Sequence, residues 1–152
     1  MSETEWRWLR LRHPRTHRFF IHWPNDTPAG HQNIRVYDRE GIDWARLVWK
    51  VCHECQRGVI SKISLTPSVQ RQGLGTLLIE RALLDGPDYQ WTTSPQSPDG
   101  KSFFEAMAIR TGARFTAGAK TCEHISDART SRTAPVLDRR LQRAASVLPS
   151  WQ

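Results

Sequence analysis

Apolar and polar positions alternate with a period of two through much of the first half of the chain, the pattern of half-buried strands. Residues 6–12 set Trp6, Trp8 and Leu11 among arginines and read as an edge strand. Residues 14–21 carry no single period. Pro24, Asn25, Asp26, Pro28 and Gly30 crowd into a loop. Residues 34–37 read as a short strand, followed by a turn at 38–41. Residues 45–51 place Leu47, Trp49 and Val51 on one face and Arg46, Val48 and Lys50 on the other. Residues 59–65, rich in β-branched side chains, follow after seven residues, so the two strands predict an antiparallel hairpin with an enlarged turn.

The period then changes to that of a helix. Leu74, Leu77, Leu78 and Ala82 share one face over 74–84, and Gly86-Pro87 stops the pattern. Residues 89–93 form a short buried strand and residues 94–100 a loop. A second helix spans 101–110 and closes at Gly112. Residues 113–116 and 122–125 read as two further strands. After Asp127 the chain turns polar, and 135–148 predicts an amphipathic helix with Leu137, Leu141, Ala144, Ala145 and Leu148 on one side. The order is that of a mixed α/β (α+β) domain at 1–127, with a basic extension at 128–152.

The junction between strand 59–65 and helix 74–84 carries the sharpest chemical signal. Pro67 is followed by Gln70-x-x-Gly73-x-Gly75, so glycines open a helix. Glycine lets a backbone approach a ligand, and a helix N-terminus offers unpaired N–H groups to phosphate. The P-loop lysine is absent, and position 78 is leucine where a dinucleotide-binding fingerprint needs glycine. The spacing resembles the pyrophosphate-binding signature of the GNAT acyltransferases, and the order of elements over 60–125 is similar to theirs.

That resemblance implies a mostly antiparallel central sheet flanked by helices, and transfer of an acetyl group from acetyl-CoA to a primary amine. It implies that Gln70, Arg71, Gln72, Gly73, Leu74, Gly75 and Thr76 hold the pyrophosphate and that Leu65 pairs with the pantetheine amides. Many members carry a tyrosine on the second helix to protonate the departing thiolate. Here residues 103–110 contain none, and the chain has only Tyr37 and Tyr89. Ser94, Gln96, Ser97 and Glu105 are the polar residues expected nearest the chemistry, with Ser94, Ser97 and Glu105 the catalytic candidates. Water as the acid, or a CoA-binding domain without catalysis, are the alternatives this departure opens.

All three cysteines fall into one pattern, Cys52-x-x-Cys55-x-x-Gly58 and Cys122-x-His124. Cysteines three apart around a tight turn can face one ion. Cys52, Cys55, Cys122 and His124 supply the four nitrogen and sulfur ligands that structural zinc takes, with His53 a substitute. Gly58 is expected to ease the backbone around the sulfurs. A disulfide is disfavoured in a reducing compartment, and three separately buried thiols are the remaining alternative.

Composition adds a partner class. The net charge is +7, which favours polyanions unless it reflects arginine-rich codon usage alone. The expected acceptor is a small amine, a protein amine or an aminoacyl-tRNA. A zinc-stabilised nucleic-acid-binding module is the second reading, drawn from the metal pattern and the seven tryptophans. No apolar run reaches the ~20 residues of a membrane span, and Glu3 and Glu5 stand where a signal peptide would be apolar. The expectation is a cytoplasmic protein, with the last helix as a homodimer face if it does not pack on its own domain.

Overall fold

A computed structural model of the chain describes residues 1–129 and 133–148. Seven strands form one sheet in the order β6-β5-β4-β3-β2-β1-β7. They are β1 (Phe19–Trp23), β2 (Gln32–Tyr37), β3 (Asp43–Cys52), β4 (Arg57–Leu65), β5 (Gln90–Thr93), β6 (Phe115–Ala117) and β7 (Val136–Leu137). The four pairings among β7, β1, β2, β3 and β4 are antiparallel, and β4-β5 and β5-β6 are parallel. The helices are α1 (Glu3–Arg12), α2 (Leu74–Leu83), α3 (Pro98–Thr111), α4 (Glu123–Asp127) and α5 (Arg139–Ala145). This is the expected α/β class, a mostly antiparallel sheet with helices on both sides.

Three expected elements differ. Residues 6–12 are helix, because Ser2 and Glu5 form a reciprocal capping box and the charges suit the helix dipole, acidic in the first turn and basic in the last. Trp6 then meets Phe19 and Tyr37 edge-on, at 5.8 and 5.2 Å between ring centres. Residues 122–125 are not a strand: Cys122 is the N-cap of α4. Within 135–148, Val136 and Leu137 are the outer strand β7, and only Arg139–Ala145 is helical. The segment after Asp127 thus completes the sheet edge and buries Leu141. Residues 130–132 and 149–152, part of the polar extension expected at 128–152, lie outside the described residues.

The sheet separates two apolar clusters. On one face Leu47, Trp49, Ile60 and Trp91 pack with Leu74, Leu78 and Ile79 of α2, Phe104 and Met107 of α3, and Leu141 of α5. On the other, Cys52 and Ile125 pack with Ala29, Val59 and Ala128. Gly58 serves the first cluster and not the turn. A Cβ there would lie 2.6 Å from the ring of Trp91, whose indole N–H donates to the Gly86 carbonyl at 3.0 Å. The residue in the hairpin turn with a left-handed backbone is Gln56, at φ 52°. Gly58→Ala should therefore lower stability by about 1–3 kcal/mol, as overpacking does, read as a shift in urea midpoint with unchanged slope.

Candidate functional site

The site starts from a change in strand pairing. β4 pairs with β5 only from Arg57↔Gln90 to Ile60↔Thr93, and the Ser94 N–H donates to the Ile60 carbonyl at 3.1 Å. β5 then ends, while β4 continues to Leu65 against β3 alone. The β3 register jumps from Trp49↔Ile60 to Val48↔Lys62, leaving Ser61 as a bulge. Beyond the bulge the Thr66 N–H bonds back to the Trp44 carbonyl at 3.0 Å. By alternation, Ile63 and Leu65 direct their backbone groups to the open edge. Leu65 O accepts from the Gln70 side-chain amide at 3.0 Å, which ties the edge to the glycine loop.

That loop runs through a 3-10 turn at Pro67–Val69 and enters α2 through Gly73. Arg71 and Gly73 both have left-handed backbones, at φ 61° and 86°. At Gly73 glycine is favoured on two counts, since a Cβ would also lie 3.2 Å from Leu148. Gly75 is buried, and a Cβ there would meet the Phe103 ring at 3.1 Å. Gly73 and Arg71 are exposed where the chain enters α2, with Leu148 beside Gly73, while Leu74 and Gly75 are buried. The Gln72 side chain turns back to donate to the Ser68 carbonyl at 3.1 Å.

The catalytic candidates divide around the open edge. The Ser94 hydroxyl donates to the Ser61 carbonyl at 2.9 Å, so it stands at the point where β4 and β5 part. Ser97 is the N-cap of α3, accepting from the Gly100 N–H at 3.1 Å. Gln96 bonds Thr93 and the Phe115 carbonyl. Glu105 is exposed on α3, in an open groove with Ser97, Lys101 and Phe115. α3 carries no tyrosine, and Tyr89 bonds His53 at 3.0 Å, away from this edge.

The second constellation lies at the opposite end of β4. Cys52 ends β3, Cys55 sits in the turn, and Cys122 and His124 arrive with α4. Their ligand atoms all lie within 4.8 Å of one another. His124 Nδ1 is 3.6 Å from Cys52 Sγ and 3.4 Å from Cys55 Sγ. Tetrahedral zinc with ordinary Zn–S and Zn–N bonds sets such edges at about 3.5 Å. The Cys55 N–H points at Cys52 Sγ at 3.4 Å, and Glu54 meets the outer His124 nitrogen at 3.3 Å. This leaves Nδ1 toward the sulfurs, with Glu54 where carboxylates stand in the outer shell of histidine–metal sites. Desolvation, then hydrogen bonding and charge from Cys122 and Cys52, pushes the Cys55 thiol up to about 11. For Cys122 the opposing desolvation is outweighed by the Ile125 N–H, Cys52, Cys55 and His124, and its thiol is lowered. His53, the substitute ligand, is outside the cluster.

Sequence reasoning named the glycine loop and the four side chains that the structure brings together at the β3–β4 turn, but missed Ser61, Glu54 and a buried polar network behind α2. A carboxylate between two knuckle cysteines was a readable signal for Glu54; the bulge left none. No curated protein matches the chain. Among solved structures it is similar to nourseothricin acetyltransferase, at 17% identity over 45% of this chain with a TM-score of 0.33. It spans about half of that protein, 52%. It is also similar to a protein of Exiguobacterium sp. 255-15 classed as an acetyltransferase, at 15% identity over 93% of this chain and 78% of that one, with a TM-score of 0.42. No helix among the described residues is long and apolar enough to cross a membrane. The sequence model of the Acetyltransferase (GNAT) family matches residues 1–105, more than half of the chain and through the strand, the loop and the helix described above, and the chain belongs to that family.

Proposed function

We propose that the protein is an acetyl-CoA-dependent N-acyltransferase acting on a primary amine, with structural zinc held by Cys52, Cys55, Cys122 and His124. The observation that carries the first part is the continuity of an open β4 edge with a glycine-opened helix. An extended chain of amides can pair with Ile63 and Leu65, and a pyrophosphate can lie on the first N–H groups of α2, next to Arg71. The thioester then falls near the parting of β4 and β5, beside Ser61 and Ser94. Nitrogen attack on the carbonyl carbon breaks the C–S bond, CoA leaves as thiolate, and the ammonium proton passes to water or to that thiolate. Four protein ligands leave zinc no open position, so its role is to pin α4 to the β3–β4 turn.

Calorimetric titration with acetyl-CoA tests the donor site. Saturable binding is expected in wild type, weakened at least about tenfold by Gly73→Val, whose side chain meets both the left-handed backbone and Leu148. Folded protein that binds no acetyl-CoA would overturn the reading. Binding without turnover across a broad amine panel would instead identify a CoA-binding domain without catalysis, the outcome favoured by the absence of tyrosine from α3.

A further inference from the structure

The sheet face away from α2 is only partly covered. α1 packs over Phe19 and Tyr37 at one end and α4 over Cys52 at the other. Between them lies an open trough of about 700 Å³, floored by Asn33, Arg35, Arg46 and Val48 and flanked by Trp23 and Tyr37. That is the size of a small-molecule site.

Its charge arrangement is unfavourable for the protein by itself. Arg35 and Arg46 are direct cross-strand partners on β2 and β3, a position where like charges repel. Asp43 answers Arg35 at 3.3 Å. Arg46 has no ion pair among the described residues, and its Nε, with Asn33 Oδ1, is buried without a hydrogen-bond partner. On the Arg46 side the neighbourhood is basic: the pKa of His31 is lowered by burial and by Lys50 and Arg46. Two arginines in cross-strand register, of which Arg46 keeps an unpartnered donor, are what a bound carboxylate or phosphate would satisfy.

The trough also leads to the reaction edge. Arg46 is the register partner of Ser64 on β4, between Ile63 and Leu65, so Arg35, Arg46 and Ser64 form one row across three strands. A second depression, sharing Arg35 and Arg46, extends along that row to Lys62, Leu65 and Thr66. Adjacent strands are about 4.8 Å apart, so an anion at the arginine pair lies roughly 5–10 Å from the open edge.

Resting on the acyltransferase reading, we infer that the acceptor is a small amine bearing an anionic group, carboxylate or phosphate, held by the cross-strand pair Arg35 and Arg46 so that its nitrogen reaches β4. The test is calorimetric binding to protein saturated with CoA, which excludes turnover. The probes are β-alanine against β-alaninamide and phosphoethanolamine against ethanolamine. The anionic member of at least one pair should bind about tenfold tighter or more, and the pair showing the larger gap identifies the anion. Arg46→Gln should erase the preference while keeping CoA affinity. Its melting temperature should hold or rise, because one of two repelling charges is gone.

Equal affinity within both pairs, or a preference that survives Arg46→Gln, overturns the inference. So does tight, steeply salt-dependent binding of tRNA without any small-molecule preference, which would give this face to nucleic acid. If CoA itself does not bind, the acyltransferase reading fails. The same titrations without CoA then decide whether the anion site stands.

Discussion

Asp138→Ala should destabilise the protein by about 3–5 kcal/mol, the cost of breaking a buried ion pair from one side. Asp138 is 6% exposed. One carboxylate oxygen caps α5, accepting from the Leu141 N–H at 2.9 Å, and the other accepts from Arg81 Nε at 2.9 Å. Arg81 also pairs with Asp85, which in turn accepts from Trp49 Nε1 and the Gln32 amide, both at 2.9 Å. One network therefore joins α5, α2, β3 and β2. Removing Asp138 takes away a helix cap, worth about 1 kcal/mol, and leaves Arg81 with half its partners in a desolvated site. Asp138→Asn keeps an N-cap of the same shape and should lose clearly less. Urea unfolding measures both, and a loss under 1 kcal/mol for the alanine variant would show that the pair contributes little to holding α5.

The same network gives the protein an acid limit. His22 stacks on Trp49 and bonds Gln32 at 2.9 Å, and burial holds its pKa below the ordinary value of about 6.5. The unfolded chain therefore takes up this proton first as pH falls. The contribution of neutral His22 is complete above the unfolded value and is lost as pH drops from there through the folded value. Asp138 opposes the shift, so Asp138→Ala should steepen the acid loss.

Where one local pattern decided an element, the sequence was readable. The 3.6-residue period of α2 and the alternation of β3 and β4 correspond to the structure because each reflects a face buried against a partner, and the Gly112 stop of α3 does so because its left-handed backbone, φ 77°, ends the helix locally. The glycine loop was readable for a related reason: a left-handed backbone at Gly73 restricts the residue type whatever the tertiary context. Trp6–Arg12 misled because alternation over seven residues also fits a helix, and the deciding signal was the capping pair Ser2 and Glu5 just before it. Cys122–Ile125 misled because its conformation follows from the ligand cluster and from Ile125 packing on Cys52, contacts about seventy residues apart in sequence. The polar network as a whole could not be read. Beyond the i,i+4 pair Arg81 and Asp85, its members His22, Gln32 and Asp138 share no spacing, and only the stacking of α2 and α5 on the sheet brings them together. The open edge of β4 depends on where β5 ends and on an extra residue at Ser61, neither of which leaves a mark in composition.

On the proposal that Cys52, Cys55, Cys122 and His124 hold zinc, removing it should be as damaging as loss of Asp138, but confined to one side of the sheet. Protein purified without a metal-chelating tag is expected to carry close to one zinc per chain; less than ~0.3 would count against the site. Free zinc at a thousand times its dissociation constant stabilises a folded-state site by about 4 kcal/mol, which for a domain of this size is roughly 8–16 °C in melting temperature. Chelation, or Cys52→Ser, should lower the melting temperature by that order. The main cluster of Leu47, Trp49, Leu74 and Leu78 contains no ligand, so the sheet and α2 should stay folded while α4 detaches from the β3–β4 turn. Hydrogen exchange should then rise over residues 119–129 and remain low in β3 and α2. Glu54→Gln should preserve the stoichiometry and weaken zinc affinity by about 10–100-fold, because it loosens the His124 ring without removing a ligand. Affinity should also fall as pH is lowered, since three thiols must release protons to bind the ion. If the serine and chelated proteins melt with the untreated one, the four side chains are neighbours in the small apolar cluster and nothing more, and α4 is held by Ile125 and the Lys50 bond to its carbonyl alone.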